Sequence, residues 1–251
     1  MMDIFPISSH PLPVFILLDT SRSMMGENEV LLNTSVSTIL AALEDAAEEN
    51  ECSIKIRIAE FNKDAHWIFG CTQEYEDIID ASSLWCGLSP SSDGANLTTA
   101  IHLVNECMHT KYLGAHAYSP LVILVSGSTN WSTDPDEAIQ TLRKSLRSKY
   151  NSDREKVIRI SIGLPSADSN KLEVFASRGN VLDDESETYN NVPFVFYVDH
   201  EKASELRLQK IVHSFVRSII LGWHSPDRRD HQIEIPDAWE WEDSWEDEWE
   251  E

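Results

Sequence analysis

Two short runs along the chain are apolar without interruption, and the segments that follow them carry apolar residues at helical spacing. Val14 to Leu18 and Leu121 to Val125 show no alternation, as strands buried on both faces do, and Val157 to Ile162 reads as a third core strand. After the first run, Glu27 to Ala47 places Val30, Val36, Ile39, Leu40 and Leu43 on one helical face. Ser53 to Phe61 alternates Ile54, Ile56 and Ile58 with Lys55 and Arg57, which predicts a half-exposed strand. A tight turn at Asn62-Lys63-Asp64 then returns the chain into a short strand, Ala65 to Phe69. Gly70 to Asn96 is irregular and rich in loop formers. Further helices are predicted over Leu97 to Met108, over Pro135 to Tyr150 with Asp134 as N-cap, over Lys171 to Ser177 and over Glu201 to Leu221; a last strand is predicted over Val192 to Val198. Strands alternating with helices of this length specify an α/β fold: a doubly wound, Rossmann-like, mostly parallel sheet flanked by helices. Its binding crevice is expected at the carboxyl ends of the strands.

The periodic region sets the boundaries. Residues 1–11 form an N-terminal extension, 12–222 one α/β domain, 223–235 a linker and 236–251 a tail of different composition. The longest apolar run, Leu12 to Leu18, is far short of the ~20 residues that span a bilayer, so no membrane segment is expected. Met1 to His10 shows neither a basic nor an apolar leader region, which points to the cytoplasm. Cys52, Cys71, Cys86 and Cys107 have no zinc spacing and read as free thiols. The net charge of −23 excludes binding to nucleic-acid backbones and to anionic lipid, and favours a basic partner or a cation.

Candidate chemistry is concentrated where the first apolar run ends, in Asp19-Thr20-Ser21-Arg22-Ser23. Asp19, Ser21 and Ser23 bring one carboxylate and two hydroxyls to one short loop, a set of hard oxygens that suits Mg²⁺. Asp-x-Ser-x-Ser after an apolar strand resembles the metal-ion-dependent adhesion motif of von Willebrand factor A domains. The resemblance extends over residues ~12 to 221. It implies a protein-binding module with no catalytic residues. It also implies a Thr before a helix and an Asp after the second core strand. Here those positions hold Ala95, in Gly94-Ala95-Asn96-Leu97, and Ser126, in Val125-Ser126-Gly127. The motif is therefore degenerate. The expected cofactor is a weakly held Mg²⁺ on Asp19, Ser21 and Ser23, its shell completed by a partner's carboxylate as the resemblance implies. The expected partner-binding residues on this face are Asp19, Ser21, Ser23, Asn96 and Ser126.

Within the family, Leu12 to Gly26 and Pro120 to Trp131 look most like the bacterial tellurium-resistance type. That likeness implies an adaptor in a stress or defence assembly, with a kinase and a phosphatase as candidate partners. The tail supplies a second candidate surface. Trp239, Trp241, Trp245 and Trp249 stand among nine acidic residues from Asp237 to Glu251, with no basic one. Trp241, Trp245 and Trp249 share one helical face, which fits an apolar groove with a basic rim.

Two other classes compete with an adaptor. A metal-assisted hydrolase using Asp19 would need more ligands than these loops offer, and no G-x-S-x-G elbow is present. His102, His109 and His116 are spaced by seven but read as solvated surface. An acidic mimic of nucleic acid, blocking a basic protein, is the remaining alternative, since the charge outside the tail is still −14.

Overall fold

A computed structural model describes residues 11–70, 76–90, 94–108, 117–150, 157–183 and 188–224. The tail, with Trp239, Trp241, Trp245 and Trp249, lies outside these residues, as do Cys71, His109 and His116.

The first apolar run forms β1 (Leu12–Asp19), buried along its whole length. A single 3-10 turn, Arg22–Met24, leads into α1 (Glu27–Glu49). β2 (Ile54–Phe61) and β3 (Ala65–Phe69) form an antiparallel pair. The stretch expected to be irregular contains β4 (Glu76–Asp77) and α2 (Ile78–Leu84). α3 (Leu97–Cys107), β5 (Leu121–Ser126), α4 (Asp136–Tyr150), β6 (Ile158–Gly163) and α5 (Ser169–Phe175) follow. β7 (Arg178–Asp183), β8 (Thr188–Pro193), β9 (Val195–Tyr197) and α6 (Lys202–His224) complete the described chain.

The main sheet runs β3-β2-β1-β5-β6-β9, with β4 paired to β2. β2, β1, β5, β6 and β9 are parallel; β3 and β4 are antiparallel. The doubly wound expectation holds. β1 is followed in sequence by its neighbour on one side, β2, and its neighbour on the other side is β5. The connections therefore diverge from β1, and the crevice opens between the carboxyl ends of β1 and β5.

Successive strand residues face opposite sides of a sheet, and the two cores divide accordingly. Val14, Ile16 and Leu18 of β1 join α1 and α6, whereas Phe15 and Leu17 join α3 and α4. On β5, Ile123 and Val125 go to the first core and Val122 and Leu124 to the second. α1 is long and apolar enough to cross a membrane by composition alone; here it is a core helix with Leu32, Val36, Ile39 and Leu43 fully buried.

The structure corrects three local expectations. β2 is not half-exposed: Arg57 is 4 % exposed. Its Nη1 donates to Cys107 Sγ at 3.2 Å, and its guanidinium lies 5.5 Å from the Trp67 ring centroid, so α3 and β3 cover a face the alternation assigned to water. The expected strand from Val192 to Val198 is two elements. β8 pairs with β7 in a separate hairpin, Phe194 turns into the core, and only β9 joins the main sheet. The final helix also runs through Trp223 and His224, which the sequence assigned to the linker.

Candidate functional site: a hydroxyl cluster on Asp19

The cluster follows from register. β1 pairs with β5 so that Leu18 opposes Val125, which brings Asp19 beside Ser126. Asp19 continues the Phe15-Leu17 series and Ser126 the Val122-Leu124 series, so both side chains point to the same side of the sheet. Ser126 Oγ donates to Asp19 Oδ2 at 2.6 Å. Ser128 Oγ, two residues on, donates to the same oxygen at 2.5 Å. Asp19 Oδ1 accepts from the Ser21 N–H at 2.9 Å. Asp19 and Ser126 are wholly buried; Ser21 and Ser128 are nearly so, while Ser23 is exposed.

The remaining hydroxyls close a triangle. Ser21 Oγ and Ser23 Oγ lie 2.8 Å apart, and Ser128 Oγ lies 3.1 Å from the first and 2.9 Å from the second. Backbone contacts hold the turn that carries Ser128. The Ser128 N–H donates to Ser126 Oγ at 3.1 Å, and the Gly127 N–H to Met24 Sδ at 3.1 Å. Asn28 Nδ2 donates to Ser23 O and to Ser166 Oγ, and Ser166 Oγ in turn donates to Gly127 O. A Cβ at Gly127 would meet Met24 Sδ at 3.0 Å and both Asn28 Nδ2 and Ser166 Oγ at 3.1 Å, a close approach that a larger residue could make only if these side chains gave way.

Asn96 is not part of the cluster. Its Oδ1 accepts from Thr133 Oγ1 at 2.7 Å, Thr133 Oγ1 meets Thr98 Oγ1 at 2.7 Å, and the Ala95 N–H donates to Ser132 Oγ at 3.1 Å. These bonds staple the loop before α3 to the loop before α4. The sequence reading found Asp19, Ser21, Ser23 and Ser126 but missed Ser128. The Ser-Gly-Ser repeat at 126–128 was the available signal, since alternate residues of an extended turn share a side.

The comparisons with known proteins agree with this fold. Residues 14–205 match the model of the von Willebrand factor type A domain. The chain belongs to the von Willebrand factor A family. No curated protein matches it in sequence. Among solved structures, a von Willebrand factor type A protein from Catenulispora acidiphila superposes with a TM-score of 0.55 at 11 % identity, over 84 % of this chain and 43 % of that one. Proximal thread matrix protein 1 from the mussel byssus gives 0.51 at 16 % identity, over 86 % and 48 %. A second structure of that mussel protein, with a zinc-occupied MIDAS motif, gives 0.53 at 17 % identity, over 86 % and 47 %. The chain thus spans about half the length of these proteins, and the likeness is one of fold.

The family implies a metal, and the donors here can be tested against one. An ion liganded by Asp19, Ser21 and Ser23 would lie about 2.0–2.1 Å from an oxygen of each. The position in contact with all three is filled by the Ser128 hydroxyl, at hydrogen-bond rather than metal–oxygen distances. Ser126 Oγ is engaged in both directions, donating to Asp19 and accepting from Ser128 N–H. Ala95, which is buried, offers only a methyl group and no oxygen from its side chain. One carboxylate among neutral hydroxyls is a poor donor set for a divalent ion, whose affinity follows ligand charge and number. The residues present do not fit a resident Mg²⁺.

Proposed function

We propose that the chain is a non-catalytic protein-binding module, an adaptor or regulatory subunit that meets a partner at the Asp19 crevice. One observation carries the reading. The rim at the sheet's switch point is a fixed set of hydrogen-bonding groups, Ser21, Ser23, Ser126 and Ser128 around one buried carboxylate. The described hydrogen bonds and ion pairs bring no histidine, lysine or second carboxylate to these hydroxyls to act as an acid or base, so the geometry offers recognition rather than bond-breaking. The Mg²⁺ implied by the family has no role in this reading, because the donor set does not suit it.

The Trp-rich acidic segment 236–251 is a second docking element in the same proposal. Tryptophan is a frequent anchor of binding energy, and the surrounding carboxylates call for a basic rim on the partner. A bacterial stress or defence assembly, with a kinase and a phosphatase among its members, is the setting supported by the likeness of residues 12–26 and 120–131 to the tellurium-resistance type. A cytoplasmic location accords with the free thiols of Cys52, Cys86 and Cys107.

Quantitative co-purification from the native host tests both surfaces. Ser23→Ala should reduce recovery of specific partners several-fold relative to the unaltered chain, and deletion of residues 236–251 should remove a second set. Unchanged recovery with both would overturn the adaptor reading. The net charge of −23 supports a competing role as a nucleic-acid mimic; displacement of DNA or RNA from a recovered partner would favour it.

A further inference from the structure

The hydrogens of the serine triangle can be counted. Each hydroxyl carries one. That of Ser128 is committed to Asp19 Oδ2, because a carboxylate oxygen only accepts. The hydroxyls of Ser21 and Ser23 therefore supply two hydrogens to three oxygen–oxygen edges of 2.8, 2.9 and 3.1 Å. In every arrangement one edge has no hydrogen, and two sets of lone pairs face each other across it. The cluster is one donor short. Ser23, the exposed corner, is where a donor from outside can reach it.

Charge adds a second constraint. Asp19 is wholly buried and no described ion pair reaches it. Arg22, exposed on the same loop, makes an interaction of its own. The cluster is thus a buried single negative charge relayed outward through Ser128 to Ser21 and Ser23. Elsewhere in the fold a charge of this kind would call for a cationic partner. A metal does not suit the site, and Ser128 stands where one would bind.

We infer that the crevice takes a cationic hydrogen-bond donor, the lysine or arginine side chain of a basic partner protein, without a metal. The inference rests on the reading of this face as a partner-binding surface. It reverses the partner chemistry that the intact motif would imply, because a metal-bearing site accepts a carboxylate and this one accepts an N–H. In the unbound protein a water can supply the missing hydrogen, and the partner's side chain replaces it. The strongly acidic chain as a whole, at −23, attracts the same class of partner.

The test is an NMR titration of the full ¹⁵N-labelled chain with N-acetyl-lysine amide in EDTA, and separately with N-acetyl-glutamate amide plus MgCl₂. The lysine probe should shift the Ser21, Ser23 and Ser128 amide resonances saturably. Ser23→Ala, at an exposed position, should weaken that response at least about tenfold, the factor carried by roughly 1.4 kcal/mol. The glutamate probe with Mg²⁺ should leave these resonances in place. A response to glutamate that depends on Mg²⁺, or no saturable response to lysine, would overturn the inference. If Ser23→Ala reduces partner recovery and EDTA abolishes it, the adaptor reading stands and this inference fails. If recovery is indifferent to Ser23, the adaptor reading of the face fails first.

Discussion

Two hydroxyl-rich clusters stand at the carboxyl end of the sheet, built from nearly the same side chains and put to different uses. Around Asp19, hydroxyls converge on a buried carboxylate. Around Asn96, the hydroxyls of Thr98, Thr133 and Ser132 meet amide and backbone groups on a rim where Ser132 and Thr133 are exposed. The first concentrates charge in a buried cluster whose exposed corner is Ser23; the second ties two loops together at the solvent-exposed rim. Burial, more than residue type, separates a recognition site from a staple, because a buried polar group must be answered by protein whereas an exposed one can be answered by water.

The contrast breaks most readily at its buried end. Asp19→Ala leaves the Ser21 N–H and two serine hydroxyls without their acceptor. At about 1–3 kcal/mol per buried unsatisfied group, partly offset by water entry, a loss of about 3 kcal/mol is expected. Calorimetry should then show Tm lowered by roughly 6–12 °C. Ser128→Ala removes the central hydroxyl and is expected to cost about 1–2 kcal/mol in urea unfolding. Thr133→Val cuts the exposed network and should stay within about 0.5 kcal/mol of the unaltered chain. Equal losses at Ser128 and Thr133 would dissolve the distinction.

Thiols sharpen the same contrast between buried and exposed polar groups. Burial raises the Cys52 thiol to about 11 and also raises Cys107, even though the Arg57 guanidinium beside Cys107 pulls the other way. Cys86 is exposed. In a disulfide-exchange assay at pH 8, Cys86→Ser should remove one equivalent from the fast phase, and Cys52→Ser none. The smallest effect is expected at Asp199, whose carboxyl is held below the usual range chiefly by the hydroxyl of Ser204, 2.5 Å away. A depressed carboxylate contributes stability above its unfolded pKa of about 4 and loses it as pH falls through the folded value. Ser204→Ala should therefore lower Tm slightly at pH 7, with the gap closing below about pH 4.

The sequence displayed most of the fold because β1 and β5 are built on unbroken apolar runs and α1, α3 and α6 keep a continuous apolar face. It hid α2 because Ile79 and Leu84 point to water, so the segment lacks a clean amphipathic pattern. It hid the β7–β8 hairpin because Val192 to Val198 is apolar enough to pass for one strand, although Phe194 leaves the ladder to pack against Phe215 with ring centroids 5.0 Å apart. At the site, Asp19, Ser21 and Ser23 were legible from their spacing and Ser126 from its place after β5. Ser128 had only the Ser-Gly-Ser repeat to mark it, and that repeat gains its meaning from a turn held by the Met24, Asn28 and Ser166 contacts. Asn96 stood close to the motif in sequence, yet its amide is drawn to Thr133 on the other cluster.

A calorimetric titration of Mg²⁺ into the full chain, beside a variant carrying both Ala95→Thr and Ser126→Asp, tests the exchange of metal for hydroxyl most directly. The unaltered chain should give no saturable heat into the millimolar range, while the variant, with its second carboxylate and added hydroxyl, should bind. Saturable micromolar binding by the unaltered chain would contradict the assignment of Ser128 as the hub of a metal-free site.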